Sequence, residues 1–145
     1  MRIAATIVRV VFGLMFTVFG LNGVLTAFGK PVFPPPPDLP EAVTAFFTAM
    51  ANTKYMLPMI GATQFVGGLL VLVGRFVPLG LTLLAPVIVN IVLFHHFVDQ
   101  DGLAIAYVVL VMELFLAWEY APAFRGVLAA RGARRWNRGR ASRNA

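Results

Sequence analysis

Long runs of apolar residues, broken by short polar punctuation, set the rhythm of this chain. Four runs stand out, at roughly 3–28, 55–74, 78–98 and 103–121. Each is close to the ~20 residues that cross a ~30 Å hydrocarbon core at a rise of ~1.5 Å per residue. A backbone in lipid must satisfy its own hydrogen bonds, so all four are expected to be helices. The second and third runs are joined only by Arg75, Phe76 and Val77, and the third and fourth by Asp99 to Gly102. Links this short make successive helices antiparallel neighbours. The expected fold is an all-α membrane protein, a four-transmembrane-helix up-down bundle.

The first and second runs are separated by a longer connection. Four consecutive prolines, Pro34 to Pro37, are incompatible with a helix and predict a stiff polyproline-like strut. Asp38 followed by Glu41 three residues later reads as an acidic variant of the capping box. Val43, Phe46, Phe47 and Met50 then recur at i, i+3, i+4 and i+7. This spacing predicts a short external amphipathic helix, lying at the interface or over the mouth of the bundle. Residues 1–125 form the transmembrane domain in this reading, and 126–145 a basic, disordered cytoplasmic tail.

Composition agrees with lipid as the solvent. Of the 145 residues, 59% are hydrophobic and 12% charged, whereas a soluble domain carries about a quarter charged residues. The net charge is +6, and seven of the twelve Lys and Arg lie between Arg125 and Arg143. These bases directly follow a hydrophobic span, so they suggest anionic headgroups as partner rather than nucleic acid. With four spans, the tail, Arg75 and Arg2 share one side, which the positive-inside rule places in the cytoplasm of a bacterial inner membrane. Asp38, Glu41, Asp99 and Asp101 then fall outside. Trp118, Tyr120 and Trp136 read as interfacial anchors at the inner end, and Tyr55 at the outer end. Arg9 inside the first run and the lack of a clean small-x-small site argue that this segment is retained rather than cleaved.

The few polar groups within the spans are the candidate site residues. On the first helix Arg9, Gly13, Phe16, Gly20 and Gly23 share a face along which another helix can approach closely. Arg9 then points inward, with Glu113 on the fourth helix as its expected partner and Glu119 as a shallower alternative. A structural ion pair is favoured over a proton or substrate site. Gln64, on a face with Gly61 and Gly68, lies at a depth similar to Asn90 on the third helix, which predicts an amide pair across that interface. Pro86, one turn before Asn90, frees a carbonyl that Asn90 or a water can satisfy. His95 and His96 point about 100° apart on a helix and do not share one metal. An interfacial histidine bonded to the external loop is the favoured reading, with a haem ligand, a quinone hydrogen bond or a pH-sensitive group as weaker alternatives. Asn22 faces either the second helix or the loop.

The chain has no cysteine, Gly-rich phosphate loop, GxSxG or HExxH, and no complete catalytic or metal constellation is legible. The balance leans away from an enzyme, and no bound cofactor is predicted.

The first helix, from Arg9-Val10-Val11-Phe12-Gly13 to Phe19-Gly20-Leu21-Asn22-Gly23, resembles the opening signature of the DoxX family of small four-helix membrane proteins. Gln64-Phe65-Val66-Gly67-Gly68-Leu69-Leu70 is similar to that family's Gly-Gly-Leu-Leu helix. Arg75-Phe76-Val77-Pro78-Leu79, Ala85-Pro86 through Asn90, Phe94-His95 and Glu113 to Trp118 resemble a DoxX-like subgroup. The resemblance covers nearly everything up to Arg125. It implies a fold and a membrane location more firmly than a reaction, although the family's name comes from a subunit of a membrane thiosulfate:quinone oxidoreductase. Relatives often carry Glu where this chain has Gln64, which weakens any proton relay through the second helix. The expected role is therefore an accessory or structural subunit of a membrane redox complex, with a membrane protein partner or a homo-oligomer. A small-solute or proton carrier acting as an oligomer, and a quinone- or haem-binding redox subunit, are the alternatives.

Overall fold

The computed structural model describes residues 2–33, 36 and 38–128, with side chains for 3–33, 36 and 38–124. The strut expected at Pro34 to Pro37, apart from Pro36, lies outside the described residues, as do Trp136 and the basic tail from residue 129. Six α-helices account for most of the rest: α1 (Arg2–Ala27), α2 (Glu41–Asn52), α3 (Met56–Val73), α4 (Val77–Phe97), α5 (Leu103–Glu119) and α6 (Ala121–Leu128). A 3-10 turn, Gln100–Gly102, leads into α5. Among the described residues, four stretches are long and apolar enough to span a membrane: Ile3–Ala27, Met56–Val73, Val77–Phe97 and Gln100–Glu119. The protein is an all-α membrane protein with four such helices. Its short last helix, α6, was not anticipated. Tyr120 and Phe124, at and after the break, pack against the core.

The α1–α3 contact is the tightest in the bundle, and glycine makes it possible. A Cβ at Gly68 would lie 2.5 Å from the Thr17 nitrogen and 2.8 Å from the Phe16 carbonyl carbon, and one at Gly13 would lie 2.5 Å from the Leu72 nitrogen. Further along, Gly20 and Gly23 meet Gly61 in the same way. Small residues therefore bring two antiparallel backbones into contact over several turns, which is how helices gain dispersion energy where lipid offers no hydrophobic drive. The glycine face of the first helix is present as expected. Gly61 and Gly68, however, face α1 rather than α4.

The seam ends at a polar cap. Arg9 Nη1 donates to the carbonyl oxygens of Val71 (2.9 Å) and Leu72 (3.0 Å), in the last turn of α3. The Val71 carbonyl also accepts from the Gly74 N–H (3.1 Å), so the guanidinium is a second donor there, and its positive charge suits the negative end of the α3 dipole. Gly74 follows in the left-handed region (φ +76°), where a side chain would collide with the guanidinium. The expected ion pair with Glu113 is not formed. A helix end one contact away takes the arginine instead.

The chain reverses through Arg75 and Phe76 into α4, which packs on α3 where Gly67 and Gly80 face each other. α5 packs on α4 and returns to α1, closing a ring in the order α1, α3, α4, α5. Phe12, Val71, Leu81, Leu84, Ile88 and Leu116 fill its centre, each at most 1% exposed.

At the end away from Arg9 and Arg75, α2 packs its apolar face on the bundle. Val43 is buried, and the Phe46 and Phe47 rings contact Phe94 of α4 at centroid distances of 4.9 and 5.5 Å. The helix starts after Pro40 without a side-chain cap, so the box expected from Asp38 is not formed. Pro40 rather than Asp38 occupies the N-cap position, and its side chain has no acceptor to offer the first-turn N–H groups. Thr53 joins α2 to α3: its hydroxyl donates to the Met50 carbonyl (2.6 Å) and accepts from the Met56 N–H (3.1 Å).

Gly68→Val is expected to destabilise the protein by about 1–3 kcal/mol, as overpacking of a close contact does, seen as a lower unfolding midpoint in mild detergent. An unchanged midpoint would mean that α1 and α3 do not touch at this level.

Candidate functional site

Between α1, α3, α4 and the overlying α2 lies a cavity of about 990 Å³. Its volume falls at the upper end of the ~300–1,000 Å³ typical of small-molecule sites. The walls are mainly aromatic and aliphatic. α1 contributes Phe19 and Asn22, α3 contributes Ile60 and Gln64, and α4 contributes Asn90, Phe94 and His95. The roof is Phe33, Leu39, Phe46, Phe47 and Met50 from the connection and α2. Phe19 and Met59 on the rim are 58% and 55% exposed, so the cavity is not sealed.

Its polar groups are few, and all of them are amides, hydroxyls or imidazole. Gln64 and Asn90 both reach this space, but they do not form the expected pair, and among the described residues neither amide has a hydrogen-bond partner. Asn90 is likewise not bonded to the carbonyl freed by Pro86. Both sites stay open because the glycine seam turns α3 toward α1 and leaves Gln64 and Asn90 on the cavity wall. Asn22 belongs to the loop. Its Oδ1 accepts from the backbone N–H groups of Val32 (2.8 Å) and Phe33 (2.9 Å), holding the roof segment against α1. The hydroxyls of Thr26 and Thr63 donate to carbonyls one turn back in their own helices. No Lys, Arg, Asp or Glu occurs among the described lining residues.

His95 is bonded to the loop as expected, through Nδ1 to the Asp99 carbonyl oxygen at 2.9 Å, with the Asp99 carboxylate at 3.3 Å. His96 is exposed, lies against the Phe97 ring and is not part of the cavity wall. The two histidines therefore serve different surroundings.

The expected polar network does not assemble as one unit. Gln64 and Asn90 line the cavity, Arg9 caps α3, and Glu119 ends α5 half-buried, apart from the Arg9 contact. Glu113 sits on the buried face of α5 with Val109 and Leu116. It is 6% exposed, and its Oε2 is buried without a hydrogen-bond partner among the described residues. Glu113 is not among the residues that line the cavity, and its neighbours Val109 and Leu116 belong with Phe16, Leu84 and Ile88 to one buried apolar cluster.

The roles of Arg9 and Glu113 are separable by mutation. Arg9→Met is expected to cost about 1–3 kcal/mol, because it removes two charge-assisted hydrogen bonds to the part-buried carbonyls of Val71 and Leu72. Glu113→Leu is expected to be neutral or stabilising in detergent unfolding, since it removes an unpaired buried polar group. A sharp loss of stability in Glu113→Leu would reveal a partner for that carboxyl and contradict the separation.

The geometry can be set beside known proteins. No curated protein and no solved structure matches this chain. The DoxX family model matches residues 4–97, which includes every segment of the cavity wall and roof and stops short of α5 and Glu113. Matched over well more than half its length, from the start of α1 to the end of α4, this four-span membrane protein belongs to the DoxX family.

Proposed function

We propose that this protein is a non-catalytic membrane subunit that holds a neutral, lipid-soluble molecule of quinone class in the cavity under α2 and serves a larger redox complex in the bacterial inner membrane. The observation that carries this reading is the character of the cavity. Its walls are apolar and aromatic, its polar side chains are amides, hydroxyls and one imidazole, and among the described residues the amides of Gln64 and Asn90 have no partner. Gln64 is half-buried, and a half-buried amide without a partner costs free energy that a ligand carbonyl or hydroxyl offsets; Asn90 is more exposed and adds a second uncharged donor and acceptor to the wall. The same lining argues against other occupants. A phosphate, a carboxylate or the propionates of haem call for Arg or Lys, and an amine calls for Asp or Glu. Phe46, Phe47 and Phe94 offer ring faces to a flat headgroup, while the open rim near Phe19 and Met59 leaves a way out for an isoprenoid tail.

The carrier reading is weakened by a specific feature. A path across the bundle needs Arg9, Glu113, Gln64 and Asn90 in one file, yet Arg9 caps α3 and neither Arg9 nor Glu113 lines the cavity that Gln64 and Asn90 share. The positive-inside rule puts the Arg9 and Arg75 end in the cytoplasm, so the cavity and α2 lie toward the outer surface.

The test is direct binding. Protein purified in mild detergent is titrated with a short-tailed benzoquinone, and neutral lipids are extracted from protein prepared in native membrane patches. Saturable binding is expected, weakened about tenfold or more in Gln64→Leu/Asn90→Leu through loss of two hydrogen bonds of ~0.5–1.5 kcal/mol each. Absence of saturable binding, together with no retained quinone, would overturn the proposal.

A further inference from the structure

We propose that His95 sets the specificity of the cavity by accepting, at Nε2, a hydrogen bond from a hydroxyl of the bound molecule, so that the site favours a phenolic ligand over the same ring with its hydroxyl blocked. The inference rests on the cavity reading above and goes beyond it by naming the chemical group that is recognised.

The orientation of the ring decides what His95 can offer. Nδ1 lies 2.9 Å from the Asp99 carbonyl oxygen, and a carbonyl can only accept. The proton is therefore on Nδ1. The Asp99 carboxylate, 3.3 Å from the same nitrogen, is a second acceptor acting in the same sense. In a neutral imidazole with Nδ1 protonated, Nε2 is an acceptor with a free lone pair. Among the described residues no group bonds Nε2.

The ring is also held in place. A Cβ at residue 102 would overlap the imidazole, so Gly102 makes room for it at the start of α5. On the other flank the Phe94 ring meets it edge-on at a centroid distance of 5.1 Å. His95 thus stands on the cavity wall, packed between Gly102 and Phe94, with an acceptor on its Nδ1 side. The other polar groups of the wall differ from it. Carboxamides such as Gln64 and Asn90 both donate and accept, and suit a carbonyl or a hydroxyl alike. An Nδ1-protonated imidazole at Nε2 only accepts. It discriminates because a ligand lacking the hydroxyl leaves this acceptor unpaired in an apolar surround.

The test compares 4-decylphenol with its methyl ether, 4-decylanisole, two neutral probes of equal ring and chain. In the wild-type protein the phenol is expected to bind up to about tenfold more tightly, as one hydrogen bond provides. In His95→Phe the preference is expected to vanish while the ether binds as before. Taking the ratio of the two variants cancels the unequal partitioning of the probes into detergent. Because His95→Phe can impair folding, a second measurement uses a protein that keeps this ring: nitrogen NMR of the 15N-histidine-labelled His96→Gln protein. The Nδ1–H tautomer is expected without ligand, with the Nε2 resonance shifting on addition of the phenol and not of the ether. Equal binding of both probes, or a proton found on Nε2, would overturn this inference and leave the cavity reading intact. Failure of both probes to bind would instead remove the cavity reading itself.

Discussion

The backbone contact between α1 and α3 is the constraint from which the rest of the bundle follows. In lipid, apolar side chains gain nothing by leaving their solvent, so helix pairs hold together by close packing and by polar groups that find partners. Gly13, Gly20, Gly61 and Gly68 supply the packing, and Arg9 on the last carbonyls of α3 supplies the polar closure. Once α1 and α3 are fixed along this line, Gly67 is left to meet Gly80 on α4, and Gln64 to face the space beyond the seam. The ring then closes through α5 around the layer of Phe12, Leu84 and Leu116.

The two halves of the bundle differ accordingly. Toward Arg9 and Arg75 the interior is filled by large side chains with almost no exposure. Toward α2 the helices leave a cavity, and α2 together with the connection before it covers the opening. The roof is attached by discrete contacts: Asn22 on the Val32 and Phe33 amides, the phenylalanines on Phe94, and the Thr53 stitch into α3. A cavity with aromatic walls, neutral polar groups and a peptide roof suits a lipid-soluble molecule without charge. Glu113 stands apart in the filled half, where its uncompensated carboxyl is a stability cost that the cavity reading does not use.

Much of this fold was legible because membrane spans are written in run length. The four spans, their antiparallel order and α2 follow from runs of apolar residues and from the spacing of Val43, Phe46, Phe47 and Met50. The glycine face of α1 was equally clear, but periodicity identifies a face and not its neighbour. The sequence pattern therefore pairs Arg9 with the carboxylate on α5, whereas the guanidinium donates to the last-turn carbonyls of α3. The Gln64 and Asn90 pairing failed for the same reason, since equal depth does not give equal direction. His95 with Asp99 was readable as an i, i+4 contact. The cavity was not, because it depends on how α2 and its connection settle over the bundle. A concentration of Phe33, Phe46, Phe47 and Phe94 at one end was the available signal.

The central claim is that the space under α2, and not the lipid-facing surface, is where a neutral ring compound resides. A photoactivatable, uncharged alkyl-phenol probe, crosslinked to the protein in native membranes and mapped by peptide mass spectrometry, addresses it most directly. The account predicts labels on the α2 segment around Phe46 to Met50 and on α4 around Asn90 to His95, displaced by excess unlabelled compound. Labels spread over the exposed faces of α1 and α5, at Val11, Leu14, Val111 and Leu114, and undiminished by competitor, would contradict it.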